Sequence, residues 1–186
     1  MARFFRVEPG FLRPQHCTIV GDVSIGADSS IWFGAVIRGD VAPVVIGRRV
    51  NVQDNAVVHC DSGVANTIED DVTIGHGAVV HGKHVGQGSL VGMGATLLSR
   101  SVIGRQCLIA AGAVVPPDLI VPDRMVVMGV PGKIVRPINP EELQYMQWLT
   151  GHYLELAEQY LAGKFKSVGE TKTKAKTKTK TKTPAH

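Results

Sequence analysis

Aliphatic residues recur along this chain at every sixth position. A first run occupies Ile19, Ile25, Ile31 and Ile37, and after a three-residue slip the frame resumes at Ile46, Val52 and Val58. A four-residue slip later it passes through Ile68, Ile74 and Val80. The longest run then goes Val85, Val91, Leu97, Ile103, Ile109, Val115, Val121 and Val127. Glycine follows the aliphatic position at Gly26, Gly47, Gly75, Gly86, Gly92 and Gly104. A small residue sits four positions after the aliphatic one at Ser29, Ala35, Ala56, Ala78, Ser89, Ala95, Cys107 and Ala113. Six is not a multiple of 3.6, so a helix would smear this pattern around its surface. The period predicts short strands alternating with tight corners, each hexad forming one wall of a three-walled solenoid, with a continuous aliphatic column inside. The two slips, 40–45 (DVAPVV) and 60–67 (CDSGVANT), read as loops extruded from a corner, where solenoids tolerate insertion.

The repeat stops near VPGKIVRP at 130–137. Asn139 then reads as a helix N-cap, Pro140 as the first helical residue, and Glu141 and Glu142 as first-turn acids. Leu143, Met146, Leu149, Tyr153, Leu156 and Tyr160 keep helical spacing, and Gly163 is the expected stop. The expected organisation is therefore an all-β solenoid over 1–136, a C-terminal α-helix packed on it over 137–165, and a disordered Lys/Thr-rich tail over 166–186.

Composition adjusts this picture in two respects. The formal charge of +4 is a property of the tail: six of the twenty Lys and Arg lie in 171–186, which carries no acid. Residues 1–170 thus hold 14 bases against 16 acids, a net of −2, and offer no nucleic-acid surface. Cys17, Cys60 and Cys107 show no metal or redox spacing. Together with an N-terminus lacking an apolar secretion core and the absence of a membrane-length apolar run, they point to the cytoplasm.

The hexad register also serves as a ruler. His59 follows Val58 and His81 follows Val80, three hexads apart, so the two imidazoles stack on one wall at the inter-strand spacing of about 4.8 Å. Arg38 follows Ile37 in the same column. His76 and Asp54 form a second column on a different wall, two residues after Ile74 and Val52. Two stacked histidines and a third on another wall make a three-ligand metal site if prisms associate around a three-fold axis. Asp54 of one subunit would then meet Arg38 of the next, one layer below the metal. His16, His84, His152 and His186 share no such register. Cys17 and Cys107 fall in packing slots, and Cys60 alternates away from His59.

The segments IRGD at 37–40, NVQDNAVVH at 51–59 and IGHGAVVHG at 74–82, followed by the hexad run and VPGK, resemble the γ-class carbonic anhydrases across about residues 8–162. The resemblance implies a left-handed parallel β-helix with a C-terminal helix, assembled as a homotrimer. It implies Zn²⁺, with Fe²⁺ or Co²⁺ as alternatives, held by His59 and His81 of one subunit and His76 of the next. It also implies the Arg38–Asp54 pair across the interface, Gln53 and Asp40 beside the metal-bound water, and Tyr153 on the helix near the site. The implied reaction is hydration of CO₂ to bicarbonate by a metal-activated water. The chain departs from the active pattern at Val41, where those enzymes carry Glu. Its short 60–67 loop offers only Asp61 in place of a second Glu. A metal-dependent thioesterase, a non-catalytic scaffold and a hexapeptide acyltransferase using one histidine as base are the competing readings.

Overall fold

The computed structural model describes residues 3–167, so the tail expectation lies outside the described residues from position 168 onward. Each hexad forms a two-residue strand followed by a corner, and the strands stack into three walls. On the first wall seven parallel strands, from Phe11–Pro14 through Ser30–Ile31, Asn51–Val52, Thr73–Ile74, Leu90–Val91 and Leu108–Ile109 to Met125–Met128, mark about six turns. The second wall carries Val57–Val58, Val79–Val80, Thr96–Leu97 and Val114–Val115. The third carries Asn66–Ile68, His84–Val85, Val102–Ile103 and Ile120–Val121. Inside, Ile31, Ile37, Val52, Val58, Ile74, Val80, Val91, Leu97, Ile103, Ile109 and Val115 are fully buried. Each contributes about 1.5–3 kcal/mol by leaving water.

The corners obey a rule that the aliphatic frame alone does not show. The third residue after the inward aliphatic adopts left-handed backbone at Asp28, Arg49, Asn55, Asp71, Arg100, Gln106, Asp118 and Arg124, and at Gly34, Gly77, Gly88, Gly94 and Gly112. Asn and Asp tolerate that conformation better than most residues. Two of the Arg corners find acids one coil away: Arg49 is bidentate to Asp71 at 2.6 and 2.8 Å, and Arg100 to Asp118 at 2.7 and 2.8 Å. The glycine one step after the aliphatic has a different cause. A Cβ on Gly75 would sit 2.7 Å from the backbone nitrogen of Met93, so coils approach too closely there for any side chain.

One slip is not a loop. Residues 40–45 belong to an eleven-residue strand, Val36–Ile46, which turns a corner without breaking and pairs along Thr18–Ile25. The extra residues are absorbed as a register shift between Gly21 and Val23, and the strand still buries Ala42 and Val44. This strand fuses the second and third walls into one sheet. The 60–65 segment does leave the coil.

Both ends of the solenoid are capped antiparallel, by Phe4–Val7 on Phe11–Pro14 and by Lys133–Pro137 on Met125–Met128. The helix Pro140–Leu161 starts at Asn139 with a reciprocal capping box to Glu142, and Gly163 follows it in left-handed conformation. It lies over the outer face of the first wall. Met146 packs with Leu90, Val126 and Ile138, while Ala157 joins Phe4, Leu12 and Trp32, with Phe33, Tyr153, Leu156 and Tyr160 around them. The scarce aromatic residues are thus concentrated where the helix meets the N-terminal cap. No helix among the described residues is long and apolar enough to cross a membrane.

Candidate metal centre

Two clusters of polar side chains form on the solenoid. In the first, Val58 pairs with both Ile37 and Val80, which places Arg38, His59 and His81 in one column on consecutive coils. The His59 and His81 ring centroids are 5.2 Å apart. Arg38 bonds Asp40 Oδ2 at 2.5 Å and lies 3.5 Å from His59 Nδ1. A guanidinium only donates, so Nδ1 accepts and the ring proton sits on Nε2, 3.0 Å from Asp40 Oδ1. The hydrogen bonds from Arg38 and His59 hold the Asp40 carboxyl below its ordinary range. Above it, His81 Nε2 is 3.0 Å from Asp61 Oδ1, which also accepts from Ser99 Oγ at 3.0 Å. Burial raises the Asp61 carboxyl, but these hydrogen bonds outweigh it and the net direction is down.

The second cluster lies on the corner beyond the first wall. Val52 pairs with Ile74, so Asp54 sits one coil beneath His76, and its Oδ2 is 2.8 Å from His76 Nδ1. Tyr153 reaches down from the helix to His76 Nε2 at 3.1 Å. Burial, reinforced by the negative charge of Asp54, raises the Tyr153 phenol above its ordinary value, so it stays a hydroxyl donor. Gln53 is buried; its Oε1 accepts from the backbone N–H of His76 at 3.1 Å while its Nε2 donates to Asn51 Oδ1 at 3.0 Å. Asn51 in turn donates to Thr73 at 2.8 Å.

Within one chain, Arg38 is engaged by Asp40 and Asp54 by His76. Among the described residues no group of three or more His, Cys, Asp or Glu is placed to hold a metal ion in a single copy. The donor types nevertheless suit a divalent metal, for which His59 and His81 would exchange their bonds to Asp40 and Asp61 once copies associate. Three imidazoles leave one coordination position open. In His76 the Asp54 carboxylate accepts a hydrogen bond from Nδ1–H, leaving the Nε2 lone pair as donor, an orientation that carboxylates commonly impose on metal-binding histidines. Cys60 is not aimed at this site: it is buried, its thiol donates to the Ala42 carbonyl at 3.2 Å, and burial raises its pKa.

Asn51, Ser99 and Asn66 were not apparent as site residues from the hexad pattern. Asn51 belongs to the outward column Ser30, Asn51, Thr73, which is polar yet buried under the helix and the neighbouring Trp32. Polar residues one step before the inward aliphatic on a helix-covered wall were the available signal.

The family model described as the hexapeptide repeat of succinyl-transferase matches residues 66–99. A carbonic anhydrase of Geobacillus kaustophilus is 43% identical over 148 residues, covering 80% of this chain and 81% of that protein. The mitochondrial gamma carbonic anhydrase 2 of Arabidopsis thaliana is 39% identical over 84% of this chain, which spans only 58% of that longer protein. Among solved structures, one titled a putative acetyltransferase from Bacillus cereus superposes with a TM-score of 0.81 at 36% identity, covering 84% of this chain and 91% of that one. With hexad, histidine columns and these relatives in agreement, the chain belongs to the γ-class carbonic anhydrase family of hexapeptide-repeat, left-handed β-helices.

Proposed function

We propose that the chain acts as a metal-dependent carbonic anhydrase, hydrating CO₂ to bicarbonate at a site shared between subunits of a homotrimer. The observation that carries this reading is the split of the histidines: His59 and His81 stack 5.2 Å apart on one wall while His76 stands on another, each already hydrogen-bonded to its own carboxylate. Three-fold association would bring His76 of one copy to His59 and His81 of the next, and Asp54 to Arg38. Zn²⁺, or Fe²⁺ or Co²⁺, would be held by these three rings, and when bound it supplies the Lewis acidity that makes water a nucleophile at neutral pH. The remaining work falls to the chain's own residues. Asp54 orients the His76 ring, Gln53 pins its backbone, and the Tyr153 hydroxyl occupies the Nε2 that a metal would take. Asp40 bridges Arg38 and His59, presenting a carboxylate beside the position of the reacting water. The cytoplasm is the proposed location, on three unpaired cysteines.

Stopped-flow CO₂ hydration on metal-loaded protein tests the reaction, and metal content tests the site. A rate no higher than that of a His81→Ala control would overturn the reaction. One metal per chain, with chelation dissociating the trimer, is the expected state; a metal-free trimer would overturn the shared site. A second reading, acyl transfer, draws on the names of the Bacillus cereus structure and of the family model. Turnover of an acyl-CoA by metal-free protein would favour it.

A further inference from the structure

Asn66 opens the strand Asn66–Ile68, where the 60–65 loop rejoins the coil, and it is fully buried. Its carboxamide nitrogen donates to the carbonyl of His59 at 2.8 Å and to that of Val80 at 3.2 Å. Val80 immediately precedes His81, so a single NH₂ group spans the two coils that carry the stacked imidazoles. Among the described residues no backbone N–H reaches the His59 carbonyl. The other end of the amide, Oδ1, is buried with no partner. An unsatisfied buried acceptor costs about 1–3 kcal/mol, and an apolar side chain of the same volume would move that penalty to the His59 carbonyl rather than remove it. The amide is kept for what its nitrogen holds, the two carbonyls beside the stacked imidazoles.

From this geometry we infer that Asn66 is a positioning residue, whose amide holds the His59 carbonyl and the strand leading to His81 at the spacing from which both rings serve one metal ion. The inference rests on the metal site proposed above and deepens it. The loop makes the arrangement self-consistent. Val64 N–H closes a turn on the Asp61 carbonyl, and Gly63 N–H bonds the Val41 carbonyl at 3.2 Å. The short segment is thereby folded back so that Asn66 reaches inward beneath it. Asp61, at its start, meets His81.

The test uses full-length protein, with Co²⁺ as the probe. Asn66→Leu removes both donated bonds and the orphan acceptor together. The variant trades the orphan Oδ1 for an unpaired His59 carbonyl, so its unfolding temperature should stay near the wild-type value. Its Co²⁺ affinity should fall about 10–100-fold, the usual effect of losing a group that orients metal ligands, and its visible Co²⁺ spectrum should change in shape. Unchanged affinity and spectrum in a folded Asn66→Leu protein, with wild type binding normally, would overturn the role of Asn66 and leave the metal site standing. Wild-type protein that takes up neither Co²⁺ nor Zn²⁺ would overturn the metal site, and this inference with it. Should the variant not fold, wild-type protein decides: a clamp that favours metal binding must be strengthened by it in return. The Asn66 carboxamide protons should then exchange more slowly with Zn²⁺ bound than without, and equal rates would overturn the inference.

Discussion

Glu142 joins three parts of the molecule, and its removal has a predictable pH signature. Arg136, in the last solenoid strand, is bidentate to its carboxylate at 2.7 and 2.8 Å. The Asn139 backbone N–H donates to Glu142 Oε2 at 3.0 Å, while the Glu142 N–H donates to Asn139 Oδ1 at 2.8 Å. The guanidinium first, and the backbone N–H second, lower the carboxyl from 4.5 to about 2. That difference corresponds to at most about 3 kcal/mol. Side chains 23% and 45% exposed to solvent screen it to about 1 kcal/mol. Because the folded value is the lower one, the contribution is complete above pH 4.5 and disappears as pH falls toward 2. At pH 3 about two fifths of it remains. Glu142→Gln keeps an acceptor for the Asn139 N–H but loses the charge. It should therefore lower the melting temperature by about 2–4 °C at pH 7 and by less than half of that at pH 3. Asn139→Ala removes the cap for about 1 kcal/mol with no such dependence. Parallel thermal scans of the three proteins from pH 3 to 7 decide the matter. A Glu142→Gln deficit that does not shrink toward acid would refute the ion-pair argument.

Three further outcomes follow from the same geometry. Gly75→Ala places a methyl 2.7 Å from the Met93 nitrogen, so the coils beside His76 must part; a loss of about 1–3 kcal/mol in denaturant unfolding is expected, and an unaltered midpoint would contradict it. Tyr153→Phe frees His76 Nε2 from a 3.1 Å hydrogen bond that a metal must displace. At about 1 kcal/mol for that bond, Zn²⁺ affinity measured by competition titration should rise about fivefold, and weaker binding would contradict the assignment of Nε2 as donor. Asp61→Asn removes the acid that orients His81; kcat for CO₂ hydration should fall several-fold and stay low in concentrated imidazole, and full recovery in buffer would assign Asp61 to proton export instead.

The solenoid was legible because its physical cause is periodic. One aliphatic residue per wall must point inward, and a single frame such as Val85 to Val127 repeats that demand eight times. The helix was legible from its end signals, Asn139, Pro140 and Glu142, which satisfy backbone groups locally. The path of 40–45 was not, because DVAPVV carries a proline and an acid that read as loop. Only its pairing with Thr18–Ile25, a contact distant in sequence, makes it a strand. The antiparallel caps were missed for the same reason. Register placed His59 above Arg38 and His76 above Asp54, since stacking depends only on counting coils. It could not show which hydrogen bonds each ring makes within its own chain, because those depend on rotamers and on the helix that delivers Tyr153.

The position of the carboxylates bears on what this site can do. Each of the three imidazoles has one acid within hydrogen-bond reach: Asp40 for His59, Asp54 for His76, Asp61 for His81. The carbonyl of Val41 anchors the short 60–65 loop at Gly63. The loop anchored there carries Asp61, which is held against His81 and Ser99. An acid bonded to a ring orients it, whereas an acid free to swing between site and solvent carries protons away. The fold thus supports the metal centre more directly than it supports rapid proton export. Exchange with buffer, rather than a mobile side chain, is the step on which turnover should depend.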